Sequence, residues 1–551
     1  MAKSRIPDIW KSSIVIPLLK PGKPADESNS YRPVSLLCPS IKILERLILP
    51  TMQEKLPIPQ FQHGFRAQHS TVTALLEFSE EIAAGFNKKQ PPDRTLLLQI
   101  DLSKAFDMVN LNKLLSDLQS SDLPPSLTRW FSCYLRGRQS RVMFRNKRSG
   151  SRNIRAGVPQ GAVTSPILFN FYLTQLPRPP EGIKIIQYAD DISIFASGTD
   201  IQKLTNMINS YADKVIKFLE SRNLMVSPEK STVTLFTPDT SQANLHPDIK
   251  LNDKTVPLEK HPKLLGVTFD TMFRFTQHIN NAVKRGKSRN SILKSLAGST
   301  WGQDQETIIS TYKSICRSVL EYGVQVWSPI ISATNWQKLQ VCQNHALRTA
   351  TGNLKMAATD HLHQETKVLP IKEHCKMLTL QHLLTSNLPG HPGNRLIDRP
   401  AYERDQRRTM LSYKSEIEHL LPITGKKDLK EQLQAVHTRT VKDVILKYQP
   451  NKVLNRKPPS KINKEEKSLS RAVRCKLSQW RSNYSRDFNS YLARIDTTNT
   501  VTDSCPKCNA TPHDTNHQFN CPSMPTNLCN LHLWTKPKKV AEFFKFGDGI
   551  T

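Results

Sequence analysis

The sequence predicts an α+β chain: a split βαβ, ferredoxin-like sheet in the first half and a mainly helical second half. Three observations lead there. Between residues 95 and 236, apolar runs of strand length and helical-period segments follow the order strand, helix, hairpin, helix, strand. From about residue 273 to 400 the apolar period turns helical. The 551 residues are 38% hydrophobic and only 23% charged, which supports packed cores rather than wholesale disorder. At about 150 residues per domain, the length suggests three or four domains.

Residues 1–90 mix short apolar runs with prolines. Thr95–Ile100 reads as a buried strand that runs straight into Asp101. Leu111–Leu118 is helical, and Pro124-Pro125 breaks the chain before a helix around Trp130–Leu135. Gly157–Gly161 is a loop. Ser165-Pro166 supplies an N-cap serine and a first-turn proline, and Ile167–Leu176 is apolar nearly all round, so this helix belongs inside. Ile183–Gln187 and Ile192–Ala196 form a hairpin around Tyr188-Ala-Asp-Asp191. Leu204, Met207, Ile208, Tyr211, Val215, Phe218 and Leu219 then keep helical spacing. Val233–Phe236 and Leu264–Phe269 are further strands. Residues 400–490 are rich in Lys and Arg, with a proline-lysine linker near Asn451–Lys464.

Charge narrows the partners. Lys+Arg number 78 against 47 Asp+Glu, a net +31, and such an excess usually meets a polyanion, most often nucleic acid. An anionic membrane surface is compatible with the same charge. No run of about 18 apolar residues predicts a membrane span, and the N-terminus lacks the long apolar stretch of a signal peptide. The 10 cysteines are too sparse for a disulfide scaffold; four cluster at Cys505, Cys508, Cys521 and Cys529. That pattern fits reduced thiols and one local metal site.

Asp190 and Asp191 sit in the turn of an apolar hairpin, and Asp101 ends an earlier apolar strand. Adjacent carboxylates repel, and a divalent metal is the usual compensation: two Mg²⁺ ions about 3.5–4 Å apart can activate a hydroxyl and neutralise a leaving pyrophosphate. Taken alone, the pair is also what an ordinary acidic turn contains. The surrounding residues add context. Asp101-Leu-Ser-Lys-Ala-Phe-Asp-Met-Val, Gly157-Val-Pro-Gln-Gly-Ala-Val-Thr-Ser-Pro-Ile-Leu-Phe-Asn and Tyr188-Ala-Asp-Asp follow one another. In that order they closely resemble motifs A, B and C of a reverse transcriptase. Tyr31-Arg-Pro-Val-Ser-Leu-Leu and Gly64-Phe-Arg-Ala-Gln-His-Ser-Thr resemble that family's fingers segments. The resemblance is to non-LTR (LINE-type) retrotransposon polymerases, most closely the jockey-like group, and covers nearly the whole chain.

The resemblance implies a right-hand polymerase: fingers 1–94, palm 95–270, helical thumb 271–400, a basic helical region 401–500 and a zinc-knuckle tail 501–551. It implies an RNA-directed DNA polymerase with two Mg²⁺ held by Asp101 and Asp190, with Asp191 the second acid of the pair and the Leu102 carbonyl completing one shell. Phe106 matches the aromatic gate that excludes a 2′-hydroxyl; a core phenylalanine reads the same way. Gln160 and Gly161 would lie against nucleotide and template base, glycine permitting close backbone approach. Arg66 would clamp the triphosphate, or be a surface arginine. Lys230 matches the motif D lysine that can act as general acid, or be a solvated loop residue. Leu264-Leu-Gly-Val-Thr-Phe-Asp resembles the primer grip. Ala162 and Thr164 depart mildly from the family's serine and leucine.

Implied partners are an RNA template, a DNA primer or target, dNTPs and the element's own RNA-binding protein, with no membrane; the implied setting is a ribonucleoprotein of nucleus and cytoplasm. The chain begins inside the fingers region, without room for the endonuclease that precedes such polymerases, so a fragment or degraded copy is expected. Two rivals follow: an inactive relic that only binds nucleic acid, and a group II intron maturase-type polymerase.

Cys505, Cys508, His517 and Cys521 have C-x₂-C-x₈-H-x₃-C spacing. Thiolates two residues apart bind one Zn²⁺ from a tight knuckle, and a second pair closes the tetrahedron. One structural Zn²⁺ is expected, with His513 and Cys529 as substitute ligands; similarity to the family's C-terminal CCHC module supports it. A small zinc fold in a basic setting would bind single-stranded nucleic acid. The basic stretch 400–490 would either hold RNA phosphates or be a solvated face. Trp480, Tyr484 and Tyr491, among arginines, would either stack on bases or pack in a core.

Overall fold

The computed structural model describes residues 6–88, 90–397, 408–459 and 463–547. The expected boundary between 400 and 401, and the middle of the Asn451–Lys464 stretch, lie outside the described residues. The chain divides into two compact units, passing from the first to the second between Phe273 and Arg274.

In the first unit, β1 (Ser12–Leu19) pairs antiparallel with β2 (Tyr31–Leu36), and two helices follow, α1 (Pro39–Lys55) and α2 (Thr71–Phe86). Next come β3 (Arg94–Ile100), β4 (Arg138–Phe144), α3 (Ser165–Tyr172), β5 (Ile183–Tyr188), β6 (Asp191–Gly198), α4 (Ile201–Ser221) and β7 (Thr232–Phe236). Strand β4 lies parallel to β1, so β2, β1 and β4 form a separate sheet. The other four strands make an antiparallel sheet in the order β7-β3-β6-β5. This is the order that a strand-helix-hairpin-helix-strand chain adopts when its first and last strands pair side by side and the first also pairs with the hairpin.

The sheet is buried on both faces, which is why β3 reads as a continuous apolar run. On one face Leu96, Leu98 and Ile100 share a core with Leu204, Ile208, Tyr211, Val215 and Leu219 of α4. On the other, Phe78 of α2 meets Phe195, Phe236 and Phe269 edge-on at 5.1–5.5 Å. Helix α2 starts from a reciprocal cap: Thr73 N donates to Ser70 Oγ and Ser70 N to Thr73 Oγ1.

Two local readings change. Leu264–Phe269 is not one strand but a hairpin of Lys263–Leu264 with Val267–Thr268. Its turn residues, Leu265 and Gly266, both have positive φ, which matches the right-handed strand twist. Helix α3 begins at Ser165 with Thr164 as its cap residue and ends at Tyr172, short of Leu176.

The second unit is helical among its described residues. Helix α5 (Thr276–Leu296) packs on α6 (Ala333–Thr351), and α7 (Thr359–Thr366) follows. One core joins Ala357, Val453, Val473, Leu477, Trp480, Phe519, Trp534 and Phe546. Trp480, Tyr484 and Tyr491 are buried there and are core residues, not stacking platforms. Asn451 and Val453 are buried too, so the expected linker begins as packed chain. Arginines of α8 (Arg471–Arg481) turn inward. Arg471 donates to the carbonyls of Gly298, Gln303, Thr349 and Ala350, and Arg474 pairs bidentately with Glu306. No helix among the described residues is long and apolar enough to cross a membrane.

Burial holds the imidazoles of His278, His363 and His382, all in the second unit, down at about 4. Their unfolded counterparts titrate near 6.5. Between those values the unfolded chain binds protons that the folded chain does not, so stability falls as pH drops from about 6.5 to about 4. The urea midpoint of the second unit is expected to be lower at about pH 5 than at about pH 7, by several kcal/mol in total.

Candidate active site and zinc cluster

The three aspartates meet at one end of the four-stranded sheet. Ile100 pairs with Ile192, so Asp101 and Asp191 are the next residues on adjacent strands. Tyr188 pairs with Asp191, which leaves Ala189-Asp190 as the two-residue turn. Ala189 has φ +58, a conformation that costs a residue with a Cβ about 1 kcal/mol or more. Side chains hold it there. Gln62 Oε1 accepts from Ala189 N at 3.0 Å and from Gly64 N at 2.8 Å, and Gln187 Nε2 donates to the Ala189 carbonyl at 3.0 Å. A Cβ on Gly64 would lie 2.5 Å from Ala189 N, so only glycine allows this approach.

Burial, opposed by the nearby charges of Lys230 and Lys20, raises the Asp101 carboxyl. Burial and Asp101 raise Asp190, and Arg32 opposes them. Crowded surroundings, then Asp190 and Asp101, push Asp191 up to about 6, although its side chain opens to solvent. None of the three has a cationic partner within 4.0 Å among the described residues. Three carboxylates that share one sheet end without an ion pair suit a hard divalent cation. Their oxygens are spread wider than those of the one His/Cys/Asp/Glu group among the described residues whose ligand atoms all lie within 4.8 Å, as expected of like charges.

The loop at Gly157–Gly161 is fastened to the segment after Asp101. Gly157 N donates to Val109 O, Val158 N to Phe106 O, and Gln160 Nε2 to Asp107 Oδ1 at 3.0 Å. Gly157, at φ +84, lies where a Cβ would sit 2.7 Å from Asp107 O. Gly161, at φ +130, lies where one would sit 2.4 Å from Ser35 O. Buried Glu45 accepts from Val163 N and Thr164 Oγ1, both at 2.8 Å, which gives Thr164 a structural purpose. The Phe106 ring is half-buried and stacks on Phe169 with centroids 4.3 Å apart. Leu102 is buried in a two-residue strand paired with Val226.

Of the predicted cations, Lys230 reaches Asp101 with its charge, while Arg66 donates to the Pro59 carbonyl at 3.0 Å. Sequence reasoning missed Gln62, Glu45, Lys20 and Arg32 as site residues. The signal for Arg32 was present, since it stands inside the quoted Tyr31-Arg-Pro-Val segment.

In the second unit, Cys505, Cys508, His517 and Cys521 form the tight group. Cys505 Sγ lies 4.0 Å from Cys521 Sγ, Cys508 Sγ 3.7 Å from Cys521 Sγ, and Cys508 Sγ 3.3 Å from His517 Nε2. Zn–S bonds of about 2.3 Å in a tetrahedron require sulfurs about 3.8 Å apart, so the set fits zinc. Burial would raise the Cys505 thiol, but the Lys507 and Cys508 amides with His517 and Cys508 bring it down to about 6, toward thiolate. The substitutes drop out. His513 Nδ1 accepts from Asn489 N and its Nε2 meets Gln518, while Cys529 is exposed and outside the group.

Residues 18–269 match the family described as reverse transcriptase (RNA-dependent DNA polymerase). The chain is similar to the probable RNA-directed DNA polymerase from transposon BS of Drosophila melanogaster, 29% identical over 68% of this chain and 42% of that protein. It is also similar to the RNA-directed DNA polymerase from mobile element jockey of the same fly, 28% identical over 70% and 42%. It therefore spans less than half the length of these curated relatives. Among solved structures it matches telomerase from Candida tropicalis in complex with a telomeric RNA fragment. That match has 10% identity over 78% of this chain and 64% of that one, with a TM-score of 0.37.

Proposed function

We propose that the chain, whose residues 18–269 match the reverse transcriptase family, copies retrotransposon RNA into DNA. The observation that carries the reading is the meeting of Asp101, Asp190 and Asp191 at one sheet end, flanked by the charges of Lys20, Arg32 and Lys230. In this reading the four-stranded sheet is the palm, the preceding segment the fingers, and the helices after residue 271 the thumb. The basic region and the tail then follow within the second unit.

Asp101 and Asp190, with Asp191 beside them and the Leu102 carbonyl as a further oxygen, would hold the metals. Two Mg²⁺ ions bound there would supply charge neutralisation at the α-phosphate and on leaving pyrophosphate. The chain's own residues orient the reactants. Lys20 and Arg32, whose charges act on the acids, take the triphosphate in this reading; Arg66, donating to Pro59, would have to turn to join them. Lys230, whose charge reaches Asp101, gives a proton to pyrophosphate in this reading. Gln160, anchored to Asp107, and Gly161 present a flat backbone to nucleotide and template base. Phe106, braced by Phe169, closes the space beneath the sugar. The partners of this reaction are an RNA template, a DNA primer and dNTPs.

Sugar selection tests this arrangement. Wild type is expected to add dNTPs to a primer annealed on RNA and to discriminate against rNTPs. Phe106→Val is expected to relax that discrimination at least about tenfold in kcat/KM ratio, with little change for dNTPs. An unchanged ratio would remove Phe106 from the sugar site.

The Cys3His group holds one structural Zn²⁺ in this reading. Purified protein is expected to carry about one zinc per chain, and Cys505→Ser to lose it. Phe519, beside the cluster, belongs to the core of the second unit, so thermal stability should fall along with the metal. Full stability without zinc would contradict the assignment.

A further inference from the structure

The first unit carries a charge asymmetry that its catalytic end does not use. No Asp or Glu occurs between Asp122 and Glu181. Within that acid-free span, β4 turns at Arg145-Asn146 into Lys147–Arg148, and Arg152–Ile154 then returns along β4. Arg141, Arg145, Lys147, Arg148, Arg152 and Arg155 are all exposed there. None has a carboxylate partner among the described residues. Arg138, by contrast, is buried near Glu45 and Tyr134 and serves the fold.

An element with six unopposed cations repels itself and gains from a polyanion. The register shows how one would lie. Met143 pairs with Arg148, so Arg141 and Arg148 share one face; Phe144 pairs with Lys147 and Ser140 with Arg152, so Lys147 and Arg152 share the other. Arg141 and Arg148 are diagonal neighbours about 7–8 Å apart, an interval suited to successive phosphates, and Lys147 and Arg152 stand opposite residues four apart, about 13 Å or two such intervals. The second face also exposes apolar surface. Val142 is 42% and Phe144 43% exposed. The Arg145 guanidinium lies 5.3 Å over the Phe144 ring, and Tyr31 meets that ring edge-on. Phosphate-spaced cations beside an exposed aromatic suit a single strand, whose unstacked bases offer π-faces. A duplex hides those faces, and a lipid headgroup layer has no use for a stacking platform.

We propose that the β4 hairpin, Arg138–Arg155, is a sequence-independent docking surface for single-stranded RNA. Its identification of the strand as template rests on the proposed function; the binding itself needs neither dNTPs nor metal. The test uses the full chain and a fluorescent oligo(U), with anisotropy read across a salt series. Each phosphate contact on a single strand adds about 0.7 to the slope of log K against log salt. Arg145→Gln/Lys147→Gln/Arg148→Gln is expected to lower that slope by about 2 and weaken binding on the order of tenfold or more at moderate salt. Arg145→Lys/Arg148→Lys should retain the slope, and Phe144→Ala should weaken binding without changing it. An unchanged slope in the folded triple variant would overturn the proposal. So would tighter binding of blunt DNA duplex than of oligo(U). So would loss in that variant of anionic-vesicle binding alone. Because no extension is read, these outcomes stand apart from failure of the polymerase reading.

Discussion

Asp190→Ala is expected to reduce nucleotide addition on the order of a thousandfold or more while RNA binding stays at the wild-type level. The residue sits at the tip of the β5–β6 turn with Asp101 and Asp191 beside it, and its removal takes one ligand from both metal positions in the proposed arrangement. A second readout needs no turnover. Mg²⁺ is expected to raise the melting temperature of the wild type, because it offsets the burial that lifts all three carboxyls and the repulsion that adds to it at Asp190 and Asp191. The same addition should barely move Asp190→Ala. Wild-type extension by the variant would end the assignment of the site.

Arg481→Ala is expected to destabilise the second unit by about 3–5 kcal/mol. Arg481 is 1% exposed and pairs with Glu365 at 2.7 Å and Glu466 at 2.6 Å. It also donates to the Leu533 carbonyl at 2.6 Å, linking α7, the segment around Glu466 and the tail. Burial alone would raise Glu365, and the guanidinium more than offsets it, so the carboxyl stays below its usual range. Without Arg481, both glutamates are buried unpaired. Adding Glu365→Gln and Glu466→Gln to the variant should recover much of the loss, since the penalty lies in the orphaned charges. A loss under about 1 kcal/mol in urea unfolding would show that the cluster is more hydrated than its burial indicates.

The parts of this architecture legible in the sequence were those encoded locally. Val233–Phe236 and the hairpin around Tyr188-Ala-Asp-Asp191 declare themselves as apolar runs next to turn residues. The Cys505–Cys521 spacing likewise constrains its own geometry, because its ligands lie within one short segment, a loop and the helix Thr515–Asn520 that carries His517. What stayed hidden depends on long-range closure. Gln62 reaches Ala189 across 127 residues and Glu45 reaches Val163 across 118, and neither has a local pattern that betrays it. Trp480 could have been a stacking platform or a core residue until tertiary packing placed Phe488, Phe519, Phe544 and Phe546 around it. The arginines of α8 looked like RNA ligands for the same reason: composition records charge but not direction. Leu264–Phe269 misled because one glycine outweighed five apolar or β-branched neighbours.

The most direct measurement is primer extension by the purified chain on an RNA template, with Mg²⁺ and dNTPs and Asp190→Ala run alongside. The proposed function predicts template-directed DNA product from the wild type alone. Absence of product from wild-type protein shown to be folded and RNA-bound would contradict it, and would leave a nucleic-acid-binding relic whose acidic site no longer turns over.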